Sequence, residues 1–227
     1  MVQFLIPPPP PTVLAVAGGG LFAVRRVFAV AQNYAAHARE MGGDPDRQPP
    51  FFFTKPADAV TSADSIPYPP ATKRLDYEGE LVVALAHGGA DIAVADALSH
   101  VFGYAVGCDL TRRDLQAEAR QSGRPWDMAK GFDASAVCGA LQPVGIIGHP
   151  LQNAITLDVN GVRRQDGNTN QMIWSVAEII AELSRYVTLA TGDVIYSGTP
   201  AGIGALERGD VVEMAIADVG SHRFTMV

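Results

Sequence analysis

The sequence predicts a β-rich α+β domain, on three observations. Short apolar, β-branched runs recur along the chain, bounded by Gly-Asp, Asn-Gly and proline turns. Helical signals are confined to three stretches. Strands and helices do not alternate regularly, which argues against a doubly wound nucleotide-binding sheet. The 227 residues are 48% apolar and 18% charged, enough for one large domain with a sizeable core. Residues 1–24 are expected to form an N-terminal arm, and residues 25–227 the main domain.

The elements follow in order. Pro7 to Pro11 and Gly18-Gly19-Gly20 predict an extended arm interrupted by a turn, because proline cannot donate to a ladder. A proline-rich ligand for a partner is the competing reading of that run. Arg26 to Ala31 reads as a short strand. Asn33 is placed to cap a helix from Tyr34 to Met41 that Gly42-Gly43 closes, and those glycines would let it move as a lid. Phe51 to Lys55, between prolines, reads as a strand, as do 79–86 and 101–108. Thr111 with Asp114 resembles a capping box opening a helix from Arg112 to about Gln121. Asn160-Gly161 marks a hairpin. Ser175 with Glu178 opens the clearest amphipathic helix, through Tyr186, with Val176, Ile179, Ile180 and Leu183 on one stripe. Gly192-Asp193 and Gly209-Asp210 turn the last short strands.

Composition excludes several classes of function. A net charge of −7 without a Lys/Arg run argues against a nucleic-acid partner. No basic region precedes Arg25 and no apolar run reaches membrane-spanning length, so neither a signal peptide nor a membrane segment is expected. Cys108 and Cys138 are too few for a disulfide framework, which suggests a reducing, cytoplasmic setting.

The chemistry concentrates in a few carboxylates. Glu78 and Glu80 open an apolar strand, and side chains two apart share a face, here with Val82 and Ala84. Like charges at a core rim repel and lose hydration, and a hard divalent cation relieves both costs. The spacing alone also fits a solvated strand face. Asp109, at the end of the next strand, is a third candidate, with a turn or capping aspartate as the alternative. This all-oxygen set suits Mg²⁺, Mn²⁺ or Ca²⁺ better than zinc. His37 and Glu40 lie one helical turn apart, so the carboxylate can orient the imidazole for proton transfer; a surface ion pair has the same spacing. Lys130, among apolar residues, can supply positive charge to an oxyanion or be a surface lysine with a buried stem. The glycine-rich turn from Ser197 through Gly198 and Thr199 to Gly204 can hold a carboxylate on its amides and the Thr199 hydroxyl. The other histidines, His87, His100, His149 and His222, have no such partner and read as structural or exposed.

Taken together, Asn33 to Glu40, Phe52 to Pro56, Tyr77 to Leu81, Asp109 to Gln116, Pro125 to Lys130 and the Ser197 to Gly204 turn resemble the fumarylacetoacetate hydrolase family, in family order. The resemblance implies a mixed β-sandwich roll with a few short helices, usually a homodimer. It implies Mg²⁺ or Mn²⁺ on Glu78, Glu80 and Asp109, a water-activating dyad of His37 and Glu40, and an active-site lysine at Lys130. Arg113, Gln116, Gly198 and Thr199 are the implied substrate contacts, Thr199 meeting a carboxylate. The implied substrate is a diketo acid. The run from Arg39 to Arg47, with Pro49 to Phe53 and Asp109 to Gln116, points to 3-fumarylpyruvate, cleaved to fumarate and pyruvate in aromatic (gentisate) catabolism. Decarboxylation of oxaloacetate, hydrolysis of other acylpyruvates and isomerisation of 2-hydroxyhepta-2,4-diene-1,7-dioate remain open on the same fold, as does a non-catalytic binding homologue. Two positions depart from the family pattern: Gln32 stands where arginine is common, and Asp76 where histidine is.

Overall fold

The computed structural model describes residues 4–42 and 48–227. Among these, the main feature is a curled mixed sheet that runs Phe51–Lys55, Arg26–Ala31, Asp193–Tyr196, Gly79–Leu85, Val101–Asp109, Ala136–Cys138 and Val60–Thr61 in spatial order. Gln142–Pro143 also pairs with Val101–Asp109. A second sheet stacks Val162–Asn168, Ala154–Val159, Val211–Ile216, Gly220–Met226 and Ser65–Ile66. A small third sheet joins Thr111–Arg112, Leu75–Tyr77 and Gly204–Leu206. Every strand expected from the sequence is present. The Asn160-Gly161 step turns a hairpin with both residues in the left-handed region (φ 53° and 74°).

The central strand Gly79–Leu85 explains why its sequence is continuously apolar: both faces are covered. Leu81, Val83 and Leu85 pack toward the second sheet and the Val176–Tyr186 helix, whereas Val82 and Ala84 enter a separate cluster on the other face. Glu80 therefore lies on the Val82–Ala84 face, as the two-residue period requires. That second cluster is closed by a hairpin, Val13–Ala15 with Leu21–Ala23, whose Leu14 and Phe22 are buried. The turn of the N-terminal stretch is this hairpin, and the proline run before it is exposed.

Helical expectations divide. Ser175 and Glu178 form the expected capping box on Val176–Tyr186. Arg113–Gln121 forms, but its capping box does not: Thr111 and Asp114 turn to other partners. The first helix spans Ala35–Glu40 and Asn33 does not cap it. Instead the Asn33 amide donates to the carbonyls of Trp174 (2.9 Å) and Ser197 (2.8 Å) and accepts from the Trp174 amide (2.8 Å), pinning the helix entry to the glycine-rich turn. Gly43, half of the expected hinge, lies outside the described residues, as do Asp44 to Arg47. The one-turn helices Val94–Ala97, Asp127–Lys130 and Val144–Ile147 carry no helical periodicity in sequence.

Candidate metal centre and active site

Strand pairing brings the three acids together. Gly79 and Glu80 face Cys108 and Gly107 in antiparallel register, and the Asp109 amide donates to the Glu78 carbonyl at 2.8 Å. Glu78, just before this strand, and Asp109, at the end of its neighbour, thus lie side by side. One carboxylate oxygen each from Glu78, Glu80 and Asp109 lies within 4.8 Å of the others, and all three residues are buried. They floor a cavity of about 490 Å³ whose walls include Gln32, His37, Phe53, Arg113, Gln116, Arg120, Trp126, Lys130 and Thr199.

The charges around the triad are unevenly shared. Glu78 accepts from Lys130 Nζ at 2.8 Å and from Arg113 at 2.5 Å. Burial pushes its carboxyl up, but the Lys130 and Arg113 charges outweigh that and hold it well below the ordinary carboxylate range. Asp109 meets Lys55 Nζ and Lys130 Nζ, each at 2.7 Å. For Glu80 the partner is the Gly198 amide, at 2.7 Å. Burial, with Asp109 and Glu78 as neighbours, pushes the Glu80 carboxyl well above its usual range. A divalent cation among these oxygens fits: the donors are hard, they converge, and the Lys130 charge alone does not offset burial and the two carboxylates beside Glu80.

Lys130 is buried, not a surface lysine. Its ammonium donates to Glu78, Asp109 and the Thr111 hydroxyl, so all three of its protons are engaged. Burial pulls its pKa down while Asp109 and Glu78 pull it up, and the carboxylates prevail. Its primary contact is therefore the triad, and reaching an oxyanion requires releasing one of these bonds. The Phe53 ring lies 5.0 Å from its nitrogen.

His37 Nδ1 lies 3.1 Å from Glu40 Oε2, with the imidazole buried against the cavity. Glu40 also accepts from the Gly202 amide at 3.1 Å. The glycine-rich turn thus spends two amides on the protein's own carboxylates, Gly198 on Glu80 and Gly202 on Glu40, where a bound anion was expected. Glycine is required at both places. Each has φ near +100° (97° and 100°), and an added Cβ would lie 2.7 Å from Asn33 Cβ at Gly198 and 2.1 Å from the Arg164 carbonyl at Gly202.

Arg113 and Gln116 line the cavity one helical turn apart and bond to each other at 2.5 Å. Asp76 is fully buried and accepts from Arg113 Nε at 2.8 Å and Arg74 Nε at 3.0 Å, so this departure from the family pattern orients the Arg113 fork. Gln32 faces the cavity from a left-handed backbone (φ 56°). Sequence reasoning missed Lys55, which is buried and donates to the carbonyls of Leu110, Lys130 and Ser135 as well as to Asp109. Burial lowers its pKa against the pull of Asp109. It also missed Arg120 and Gln121, which extend the Arg113–Gln116 stripe along the cavity wall; their helical spacing was the available signal.

A curled, strand-rich sheet closing on a carboxylate-floored cavity, with few short helices, defines the fumarylacetoacetate-hydrolase type of fold. The chain belongs to that family: the description Fumarylacetoacetate (FAA) hydrolase C-terminal matches residues 26–227. It is similar to the crystal structure of fumarylpyruvate hydrolase from Pseudomonas aeruginosa in complex with Mn²⁺ and pyruvate, at 49% identity and TM-score 0.97, covering 99% of each chain. It is 45% identical over 164 residues to the fumarylpyruvate hydrolase of a Ralstonia species, 71% of this chain and 84% of that protein. It is also 38% identical over 201 residues to the mitochondrial oxaloacetate tautomerase of Rattus norvegicus, 88% of this chain and 90% of that protein. Among the described residues no helix is long and apolar enough to cross a membrane.

Proposed function

We propose that this protein is a divalent-cation-dependent hydrolase of 1,3-dicarbonyl acids, with 3-fumarylpyruvate as substrate and fumarate and pyruvate as products. The observation that carries the reading is one cavity holding both a converging carboxylate triad, whose Glu80 has no ion-pair partner among the described residues, and a carboxylate-oriented imidazole. The similarity to the Pseudomonas aeruginosa enzyme, whose structure holds Mn²⁺ and pyruvate, supports it. A cytoplasmic homodimer and a place in aromatic catabolism belong to the same proposal.

Glu78, Glu80 and Asp109 would hold Mg²⁺ or Mn²⁺, which when bound supplies Lewis acidity and a template for the oxygens of a diketo acid. Thr199 would meet the pyruvyl carboxylate, with Gly198 beside it, and Arg113 with Gln116 the neighbouring oxygens. His37, oriented by Glu40, takes a proton from water as the water oxygen bonds to the distal carbonyl carbon. The bond from that carbon to the methylene breaks, and its electron pair leaves as the enolate of pyruvate. The proton on His37 returns to the enolate carbon. Arg120, at the outer wall, supplies positive charge for the second carboxylate of a dicarboxylic substrate.

Oxaloacetate tautomerisation is the second reading, favoured by the likeness to the rat protein. It needs the same triad and an enolate but no attack by water. Steady-state assays with Mg²⁺ or Mn²⁺ separate the two. The proposed hydrolase releases fumarate and pyruvate in equal amounts from 3-fumarylpyruvate. Decay of the oxaloacetate enol without any cleavage of 3-fumarylpyruvate would favour the tautomerase. In His37→Ala, hydrolysis is expected to fall by about 10²–10⁴-fold with Mn²⁺ binding retained; unchanged turnover would remove the dyad from the mechanism.

A further inference from the structure

The Glu78-Gly79-Glu80 segment has a backbone problem that strand pairing does not solve. The neighbouring strand Asp193–Tyr196 pairs as far as Val82 through Tyr196, and its last ladder-like bond is from the Ser197 amide to the Leu81 carbonyl at 3.0 Å. Beyond that the chain peels away into the glycine-rich turn, leaving the Gly79 amide and carbonyl without a strand partner on that side. Buried backbone polar groups need partners. Here side chains provide them in a closed ring. Gly79 N–H donates to Gln165 Oε1 at 2.9 Å, Gln165 Nε2 donates to Thr199 Oγ1 at 2.8 Å, and the Thr199 hydroxyl donates to the Gly79 carbonyl at 2.8 Å. Gln165 Nε2 also donates to the Pro200 carbonyl at 2.8 Å.

The amide orientation of Gln165 is forced. Gly79 N–H can only donate and the Pro200 carbonyl can only accept, so the flipped amide would oppose two donors and two acceptors. Gln165 is itself 1% exposed and comes from the Val162–Asn168 strand of the other sheet. An added Cβ at Gly79 would lie 3.2 Å from its Oε1, so the ring is tightly packed around the glycine. The triad has independent supports in Lys55, Lys130, Arg113 and the Gly198 amide. The Thr199 hydroxyl is held by this ring at both ends: Gln165 Nε2 donates to one of its lone pairs and its proton goes to the Gly79 carbonyl. With Gln165 always the donor, the Thr199 proton is left free to pass between the Gly79 carbonyl and a ligand oxygen.

We propose that Gln165 is a positioning residue for anion recognition: it fixes the Thr199 hydroxyl against the Glu78-Gly79-Glu80 segment so that a 2-oxo acid carboxylate meets it in register with the cation. This rests on the functional reading above. The test is calorimetric, on the full chain, with Mn²⁺ alone and then with oxalate added to the Mn²⁺-loaded protein. Gln165→Met keeps the length but removes all three bonds. Gln165→Glu keeps the shape but presents an acceptor that captures the Thr199 proton. In both variants oxalate affinity is expected to fall at least tenfold while Mn²⁺ affinity stays within threefold. Adding Gln165→Met to Thr199→Val should cost no further oxalate affinity, because the two changes remove one unit. An oxalate loss smaller than tenfold, additive losses with Thr199→Val, or a parallel loss of Mn²⁺ affinity beyond threefold would each overturn the role of Gln165. An unsubstituted protein that takes Mn²⁺ but no oxalate would instead contradict the functional reading, and this inference with it.

Discussion

Two buried carboxylates on adjacent strands have opposite surroundings. Asp193 is fully buried and accepts from Arg26 Nε (3.0 Å) and Nη2 (2.7 Å), from Arg25 Nη1 (3.0 Å) and from the Ala190 amide (2.9 Å). Cations on the same sheet answer its charge, and it ties two parallel strands at their start. Glu80 is 2% exposed, accepts from the Gly198 amide, and is influenced more by the Asp109 and Glu78 carboxylates than by the Lys130 charge. A buried charge that is paired is part of the architecture; one left facing like charges makes sense only when something positive arrives. The contrast separates a structural acid from a ligand without reference to any relative.

Substitution sharpens that contrast most. Glu80→Gln should lower Mn²⁺ affinity by about a hundredfold or more, judged against the 10–100-fold typical of groups merely supporting a ligand. It should leave the cation-free protein as stable as before, or more so, because it removes an unanswered charge. Asp193→Asn should do the reverse. Melting should fall by about 2–8 °C, for a loss of about 1–2 kcal/mol kept low by solvent at Arg25 and Arg26. Mn²⁺ affinity should be unaffected. Titration calorimetry and thermal melts on both variants check this; equal melting losses with equal Mn²⁺ affinities would erase the distinction.

The pH response follows with a smaller amplitude. The Glu80 carboxyl, raised by burial and by Asp109 and Glu78, binds its proton more tightly folded than unfolded, where 4.5 is the ordinary value. Its contribution to the stability of the cation-free protein is therefore fully present below pH 4.5 and is lost as pH rises through the folded value. Cation binding needs the ionised form, so Mn²⁺ affinity should weaken on acidification and binding should release a proton in that window. Calorimetry in buffers of different ionisation enthalpy counts that proton. Glu80→Gln should abolish the release, and a release that survives the substitution would place the titrating group elsewhere.

What was legible in the sequence and what was not divides along the same line. Turn chemistry and two-residue periodicity disclosed the strands because those signals are local, and the spacing of Glu78 and Glu80 put the acids at the end of a strand that in the structure begins between them, at Gly79. Asp109 was a candidate by its place at the end of the next strand, with a turn or capping role as the alternative; its meeting with Glu78 needs an antiparallel register that spacing cannot supply, and only the family resemblance implied it. Polar residues with two plausible local roles were misread. Asn33 and Thr111 each stand where a helix cap belongs, but buried carbonyls and the Lys130 ammonium compete for them and win. Lys55 ends a strand bounded by prolines, and nothing nearby in sequence shows that its ammonium turns inward to Asp109. Gln165 is flanked by exposed Arg163, Arg164 and Asp166, so its inward amide carried no local mark.

The proposed chemistry requires Glu78, Glu80 and Asp109 to share one divalent ion that holds the pyruvyl end of a diketo acid. A crystal soaked with Mn²⁺ and oxalate, with anomalous data collected near the manganese edge, tests it most directly. A single anomalous peak bounded by those three carboxylates is expected, with oxalate beside it on the Thr199 side. A peak elsewhere, or none at saturating Mn²⁺, would contradict it.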